Sequence, residues 1–104
     1  MFFCGDRAFE HLLAQTALGV RAPGTAGHEA AVALIRRELS ALGLAVHEQR
    51  WQVPLFRAPG NVAQLTNLLV CIPGQRSGKK RTLLGTHYDT RWIADREQDP
   101  VLRD

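Results

Sequence analysis

Leu83-Leu84-Gly85-Thr86-His87-Tyr88-Asp89-Thr90 begins as an apolar run and ends with an imidazole and a carboxylate two residues apart. In an extended chain, alternate side chains share a face. A strand that persists to Asp89 therefore sets His87 and Asp89 on one side and Tyr88 on the other. An imidazole that ligates a metal commonly gives its other ring N–H to an oxygen acceptor, which fixes its tautomer and orientation. His87 is thus a candidate metal ligand, and Asp89 a candidate carboxylate to steady it. Both stand at the C-terminal end of a strand expected over 81–87. His-x-Asp also occurs in ordinary polar loops, so its chemical meaning depends on its surroundings.

Immediately upstream, Pro73 to Lys80 is a polar turn rich in Gly and basic residues. Before it, residues 65–72 are nearly all apolar, which predicts a strand covered on both faces. Asn67 interrupts the run. Pro54 and Pro59-Gly60 mark a loop. Residues 46–53 alternate, with His47, Gln49, Trp51 and Val53 on one face and Val46, Glu48, Arg50 and Gln52 on the other. That pattern predicts an outer, half-exposed strand. On this basis Leu69→Asp is expected to be far more damaging than Glu48→Lys. The first buries an unpaired carboxylate, whereas the second alters a solvent face.

Two helices precede the strands. Asp6 is placed to cap a helix over 7–18, with Phe9, Leu12 and Leu13 at helical spacing and Gly19 ending it. This is a packing element, and His11 faces solvent. Pro23-Gly24-Thr25-Ala26-Gly27 is a turn. Thr25 or Gly27 then caps the longest helix, over 28–42. Its apolar stripe is Ala31, Leu34, Ile35, Leu39 and Leu42, and Gly43 suits the left-handed position that closes it. His28 is expected to be a helix-start residue touching backbone or solvent, in preference to a catalytic group.

The chain has 104 residues, enough for one small domain and not two. At 45% hydrophobic and 22% charged it has the composition of a soluble globular protein. The net charge of +3 is scattered. With no long basic stripe and no interleaved aromatic platform, nucleic acid is not an expected partner. No stretch approaches the roughly 18 apolar residues of a membrane span. Met1-Phe2-Phe3-Cys4 is too short for a signal-peptide core. Cys71, inside the apolar run, is expected to be a small buried hydrophobe. A disulfide to Cys4 has no support from the cysteine pattern.

Several stretches together resemble a known family. Arg21-Ala22-Pro23-Gly24-Thr25-Ala26-Gly27-His28-Glu29 resembles the turn into the first long helix of the family-28 zinc exopeptidases. Asn67-Leu68-Leu69-Val70 resembles their inner strand, and Gly85 to Thr90 their first metal-site motif. Arg91-Trp92-Ile93-Ala94-Asp95 is similar to the Arg-Pro-Trp-Ala-Asp that follows His-Trp-Asp in bacterial members of the glutaminyl-peptide cyclotransferase branch. The resemblance runs from about Asp6 to Asp104, with four motifs in order at family-like spacing.

The resemblance implies an α/β fold: the N-terminal part of a zinc-exopeptidase-like three-layer architecture, with two helices leading into a mixed sheet. Residues 1–104 would be the N-terminal portion of a single catalytic domain, truncated. The family's bridging aspartate, ligand and general-base glutamates and final ligand histidine would all lie beyond Asp104. Residues 91–104 carry seven charged residues and no sustained period, which reads as loop.

The function implied for the parent is zinc-dependent glutaminyl-peptide cyclotransferase, converting N-terminal glutamine to pyroglutamate with release of ammonia. The alternatives are a zinc aminopeptidase of the same superfamily and a non-catalytic binding or structural stump. In a two-zinc aminopeptidase His87 is a metal ligand; in a one-zinc cyclotransferase it only lines the site. Asp89 orients it, and Trp92 either walls an apolar pocket or anchors its own loop. None of these residues is assigned a catalytic role. Zinc is the cofactor of the full-length protein, and this chain alone is expected not to retain it. The implied substrates are peptide or protein N-termini. Family members are often exported, so a signal would be missing here or lie upstream.

Overall fold

The computed structural model describes residues 2–56, 58–75, 78 and 80–102. Arg76, Ser77 and Lys79 of the expected polar turn, and Arg103 and Asp104 of the charged tail, lie outside them. The described residues form a mixed α/β unit of two helices followed by a two-stranded antiparallel sheet.

Helix α1 spans Gly5–Thr16. Its N-cap is Cys4, in extended conformation and with no side-chain cap bond, so Asp6 is not the cap. Asp6 lies in the first turn, where a carboxylate meets the positive end of the helix dipole. Gly19, with φ of 74°, follows the helix as expected. The expectation of a packed helix is corrected, because no residue of α1 is buried and Phe9, Leu12 and Leu13 are each more than half exposed.

Helix α2 spans Ala26–Ala41 and is capped as its sequence predicts. Thr25 Oγ1 accepts from the His28 N–H at 3.1 Å, which satisfies a donor the helix cannot satisfy itself. The same hydroxyl lies 2.7 Å from the Ala22 carbonyl oxygen and so closes the preceding turn. At the other end Gly43 takes φ of 75°. The Gly43 N–H donates to Ser40 O and the Leu44 N–H to Leu39 O, the paired bonds of a Schellman closure.

Strands β1 (His47–Pro54) and β2 (Val62–Leu69) pair in the register His47↔Leu69 to Pro54↔Val62. Strand β2 begins three residues earlier than the apolar run suggests and stops at Leu69. The ladder explains both ends. Pro54 of β1 faces Val62, and His47 faces Leu69, so Val70 to Ile72 have no partner strand.

Ala63 and Thr66 of β2 are buried, three residues apart and hence on opposite faces, while Val62, Gln64, Asn67 and Leu69 are exposed. Each face is thus covered at one position and open at others, so the expected cover on both faces is only partial. Cys71, expected buried, is exposed; it and Cys4 are both free thiols.

Residues 81–87 do not form the expected third strand, and among the described residues the sheet is two-stranded and antiparallel rather than mixed. Leu83 and Leu84 are more than 90% exposed. A strand requires a ladder partner as well as an apolar run, and this segment pairs with neither β1 nor β2.

The buried core is small. Ala22, Ala31, Val32 and Ala63 sit with His28 and Thr66 where the turn before α2 and its first half lie on β2. The radius of gyration is 16.6 Å, against about 13 Å for a compact domain of this length. Among the described residues no helix is long and apolar enough to cross a membrane.

Candidate functional site

The turn before α2 does more than start a helix. Arg21 holds the residues after His87 by both its backbone and its side chain. Its N–H donates to Thr90 Oγ1 at 2.9 Å, and the Thr90 N–H donates back to the Arg21 carbonyl at 3.4 Å. The Arg21 guanidinium donates from Nε to the Tyr88 carbonyl at 3.0 Å. From Nη1 it donates to Gln15 O at 2.9 Å and Gly19 O at 3.1 Å. Residues 88–90 are therefore anchored although no strand is formed there.

Tyr88 supplies a second anchor. Its hydroxyl donates to the Thr66 carbonyl of β2. Its ring lies 5.3 Å from the His28 ring, centroid to centroid and tilted by 36°. The His28 side chain is only 2% exposed, so of the two expected surroundings, backbone or solvent, solvent is corrected. Among the described residues its Nδ1 has no hydrogen-bond partner, and the Glu29 carboxylate at 3.9 Å is too far to be one.

Burial of the Tyr88 phenol pushes its pKa above the ordinary tyrosine range, and the negative charges of Asp89 and Glu29 push it the same way. The folded state thus favours the neutral phenol. Its contribution to stability is fully present below the unfolded tyrosine pKa and is lost as pH rises through the raised folded value. Tyr88 is the sole tyrosine of the chain, so ultraviolet absorbance of the phenolate reports it alone. Ionisation is expected to begin at higher pH in the native chain than in the urea-unfolded chain. Coincident titrations would show that the ring is not seated as described.

His87 and Asp89 meet, with His87 Nδ1 3.1 Å from Asp89 Oδ1, although the strand expected to align them is not formed. With the proton on Nδ1, the imidazole donates to the carboxylate and presents Nε2 outward as a lone-pair donor. The His87 side chain is 95% exposed. Both residues border a hollow of about 150 Å³ whose other walls include Pro23, His28, Trp51 and Thr66.

Trp92 lies elsewhere, beside Val20, Ile93 and Leu102, in a loop closed by an Arg91–Asp95 ion pair. The aromatic wall next to His87 is Trp51. Sequence reasoning did not single out Trp51, Arg21 or Tyr88 for the site. Their signal is the long-range pairing of residues 20–28, 51 and 66 with 86–90, which no local pattern carries.

One imidazole with a carboxylate behind it suits one position of a zinc site and does not make a site by itself, because a catalytic zinc takes about three protein ligands. Among the described residues no three His, Cys, Asp or Glu side chains are grouped to hold a metal ion. The hollow can hold a small polar group against an imidazole, a carboxylate and an indole. No protein-family model, no curated protein and no solved structure matches the chain.

Proposed function

We propose that the chain is the N-terminal portion of a single zinc-exopeptidase-like catalytic domain of the three-layer α/β kind. The parent activity we propose is glutaminyl-peptide cyclotransferase, acting on peptide or protein N-termini. The observation that carries the zinc-exopeptidase reading is the carboxylate-backed His87, anchored beside a small hollow with its outer nitrogen exposed. The choice of the cyclotransferase branch within it rests on the resemblance of Arg91-Trp92-Ile93-Ala94-Asp95. The motif resemblance points the same way. The uncovered apolar surface supports a domain whose other parts are supplied by further chain: Leu83, Leu84 and the apolar side of α1 are all exposed.

A zinc bound in the longer protein would supply Lewis-acid chemistry at the γ-carbonyl of an N-terminal glutamine, whose α-amine would close the ring as the side-chain nitrogen leaves as ammonia. This chain would contribute the imidazole of His87 to that site, as a ligand or as lining, with Asp89 holding its orientation. Trp51 would form an apolar wall that limits water. Trp92 would join a pocket only through chain that brings its loop towards His87.

A second reading, zinc aminopeptidase, is favoured by the exposure of the His87 ring. An imidazole presented outward on a carboxylate is in the state of a ligand rather than of lining. The third, a non-catalytic module, is separated from both by metal retention.

The experiment is equilibrium dialysis with zinc and a glutamine-cyclisation assay. Both are run on this chain, on its His87→Ala variant and on a longer product of the same gene. The chain alone is expected to hold no stoichiometric zinc and to show no turnover above a heat-killed control. The longer product should gain both. Zinc binding with cleavage of N-terminal residues would establish the aminopeptidase instead, and no zinc in the longer product would establish the non-catalytic module. Stoichiometric zinc in the 104-residue chain, lost with His87→Ala, would show a more complete site than proposed.

A further inference from the structure

We propose that Arg21 is a positioning residue for the His87–Asp89 pair, fixing it from a rigid turn 66 or more residues away in sequence. The functional importance of the pair rests on the reading above, but the clamp itself does not.

Three observations carry the inference. First, Arg21 grips both neighbours of Asp89. Its side chain takes the Tyr88 carbonyl at 3.0 Å, and its backbone exchanges bonds with Thr90. The Tyr88 carbonyl belongs to the peptide plane between Tyr88 and Asp89. Holding that plane and the residue after it sets the direction of the Asp89 carboxylate, and hence the orientation of the imidazole it meets.

Second, the gripping residue is itself fixed. Ala22 is fully buried, Thr25 closes the turn on the Ala22 carbonyl, and the guanidinium is seated on Gln15 O and Gly19 O. Third, little else restrains the segment. Residues 81–87 have no ladder, and the other long-range bond on 86–90 among the described residues is the Tyr88 hydroxyl on Thr66.

The fork of the guanidinium matters. Nε points to Tyr88 while Nη1 serves α1 and the turn, so one planar group joins three carbonyls. A lysine ammonium is a single compact donor on a flexible stem and cannot span the same carbonyls in one geometry.

The test is nuclear magnetic resonance on the full 104-residue chain, comparing wild type with Arg21→Ala, Arg21→Lys and Thr90→Val. Two readouts are taken: amide exchange along the chain, and the imidazole nitrogen signature of His87, which reports its tautomer. In Arg21→Ala, exchange of the Thr90 amide should quicken by at least about tenfold while the β1–β2 ladder changes by less than about twofold, as local opening requires. The Nδ1-protonated signature of His87 should give way to the free mixture of tautomers.

Arg21→Lys should not restore either readout. Thr90→Val removes a single acceptor and leaves the guanidinium bonds intact, so it should shift the same amides less. Uniformly faster exchange in the ladder and α2 would make Arg21 a general stabiliser and overturn the proposal. Full rescue by lysine, or an unchanged His87 signature in Arg21→Ala, would overturn it as well. Failure of the longer protein to bind zinc or cyclise glutamine would sink the functional reading and leave this result standing.

Discussion

Gly27→Ala is expected to abolish the cooperative unfolding transition of the chain. A Cβ at position 27 would stand 2.0 Å from the Val20 carbonyl oxygen, 2.9 Å from Leu18 O and 3.0 Å from the Val20 carbonyl carbon. All three are backbone atoms, so no side chain can swing aside. In an open helix the same change would favour folding by about 1 kcal/mol through helix propensity. Here the turn must part from α2 to admit one methyl group. Overpacking of ordinary cores costs about 1–3 kcal/mol, and a contact this short against backbone belongs at or above the top of that range.

The displaced atoms belong to the turn that carries Arg21 and the Thr25 cap, so the helix start and the anchoring of residues 88–90 should go together. Gly5→Ala is the control. Nothing lies within 4 Å of a Cβ there, and its effect should be neutral or slightly favourable. Urea denaturation followed by circular dichroism measures both. Equal midpoints for wild type and Gly27→Ala would mean that the turn does not lie on α2 as described.

The parts of the molecule that were legible beforehand are those whose physics is local. Thr25 and Gly43 delimit α2 because a cap and a left-handed closure involve only residues a few positions away. His87 and Asp89 meet because they are only two residues apart, a distance that local chain spans without a strand. What was not legible depends on partners. The apolar run at 65–72 does not disclose that its last three residues lie beyond the ladder, because β1 decides that by starting at His47. The run at 81–87 has strand composition and no strand beside it.

His28 carries no local mark of burial. Its ring is covered by Tyr88, sixty residues further on. Arg21 likewise looks like one more surface cation until the Tyr88 carbonyl is placed beside it. The helices could thus be located from periodicity, and the ends of α2 from its caps, while the packing of α1 and the support of the candidate site could not.

Glu48→Lys is expected to lower the urea midpoint more than Leu69→Asp does, the reverse of what alternation alone implies. Glu48 was assigned to a solvent face, yet its side chain is only 19% exposed and lies between two guanidinium groups. Arg36 of α2 donates from Nε to Oε1, and Arg50 of β1 donates from Nε to Oε2 at 2.6 Å. The carboxylate therefore ties helix to sheet. Burial by itself would raise its pKa. The hydrogen bonds and positive charges of Arg36 and Arg50 outweigh that, and the carboxyl is held below its ordinary value.

A lysine there would remove both acceptors and set three cations together where α2 meets β1. Leu69 is the last residue of β2 and 39% exposed, so an aspartate at that position keeps access to water. Glu48→Gln separates charge from shape. For a depressed carboxyl pKa, the stabilisation is present above the unfolded value and is lost as pH falls through the folded one. The midpoint difference between wild type and Glu48→Gln should therefore be largest near neutral pH and shrink on acidification through the carboxylate range. A difference that stays constant over that range, or a Leu69→Asp midpoint below that of Glu48→Lys, would show that the two arginines do not hold Glu48 in solution.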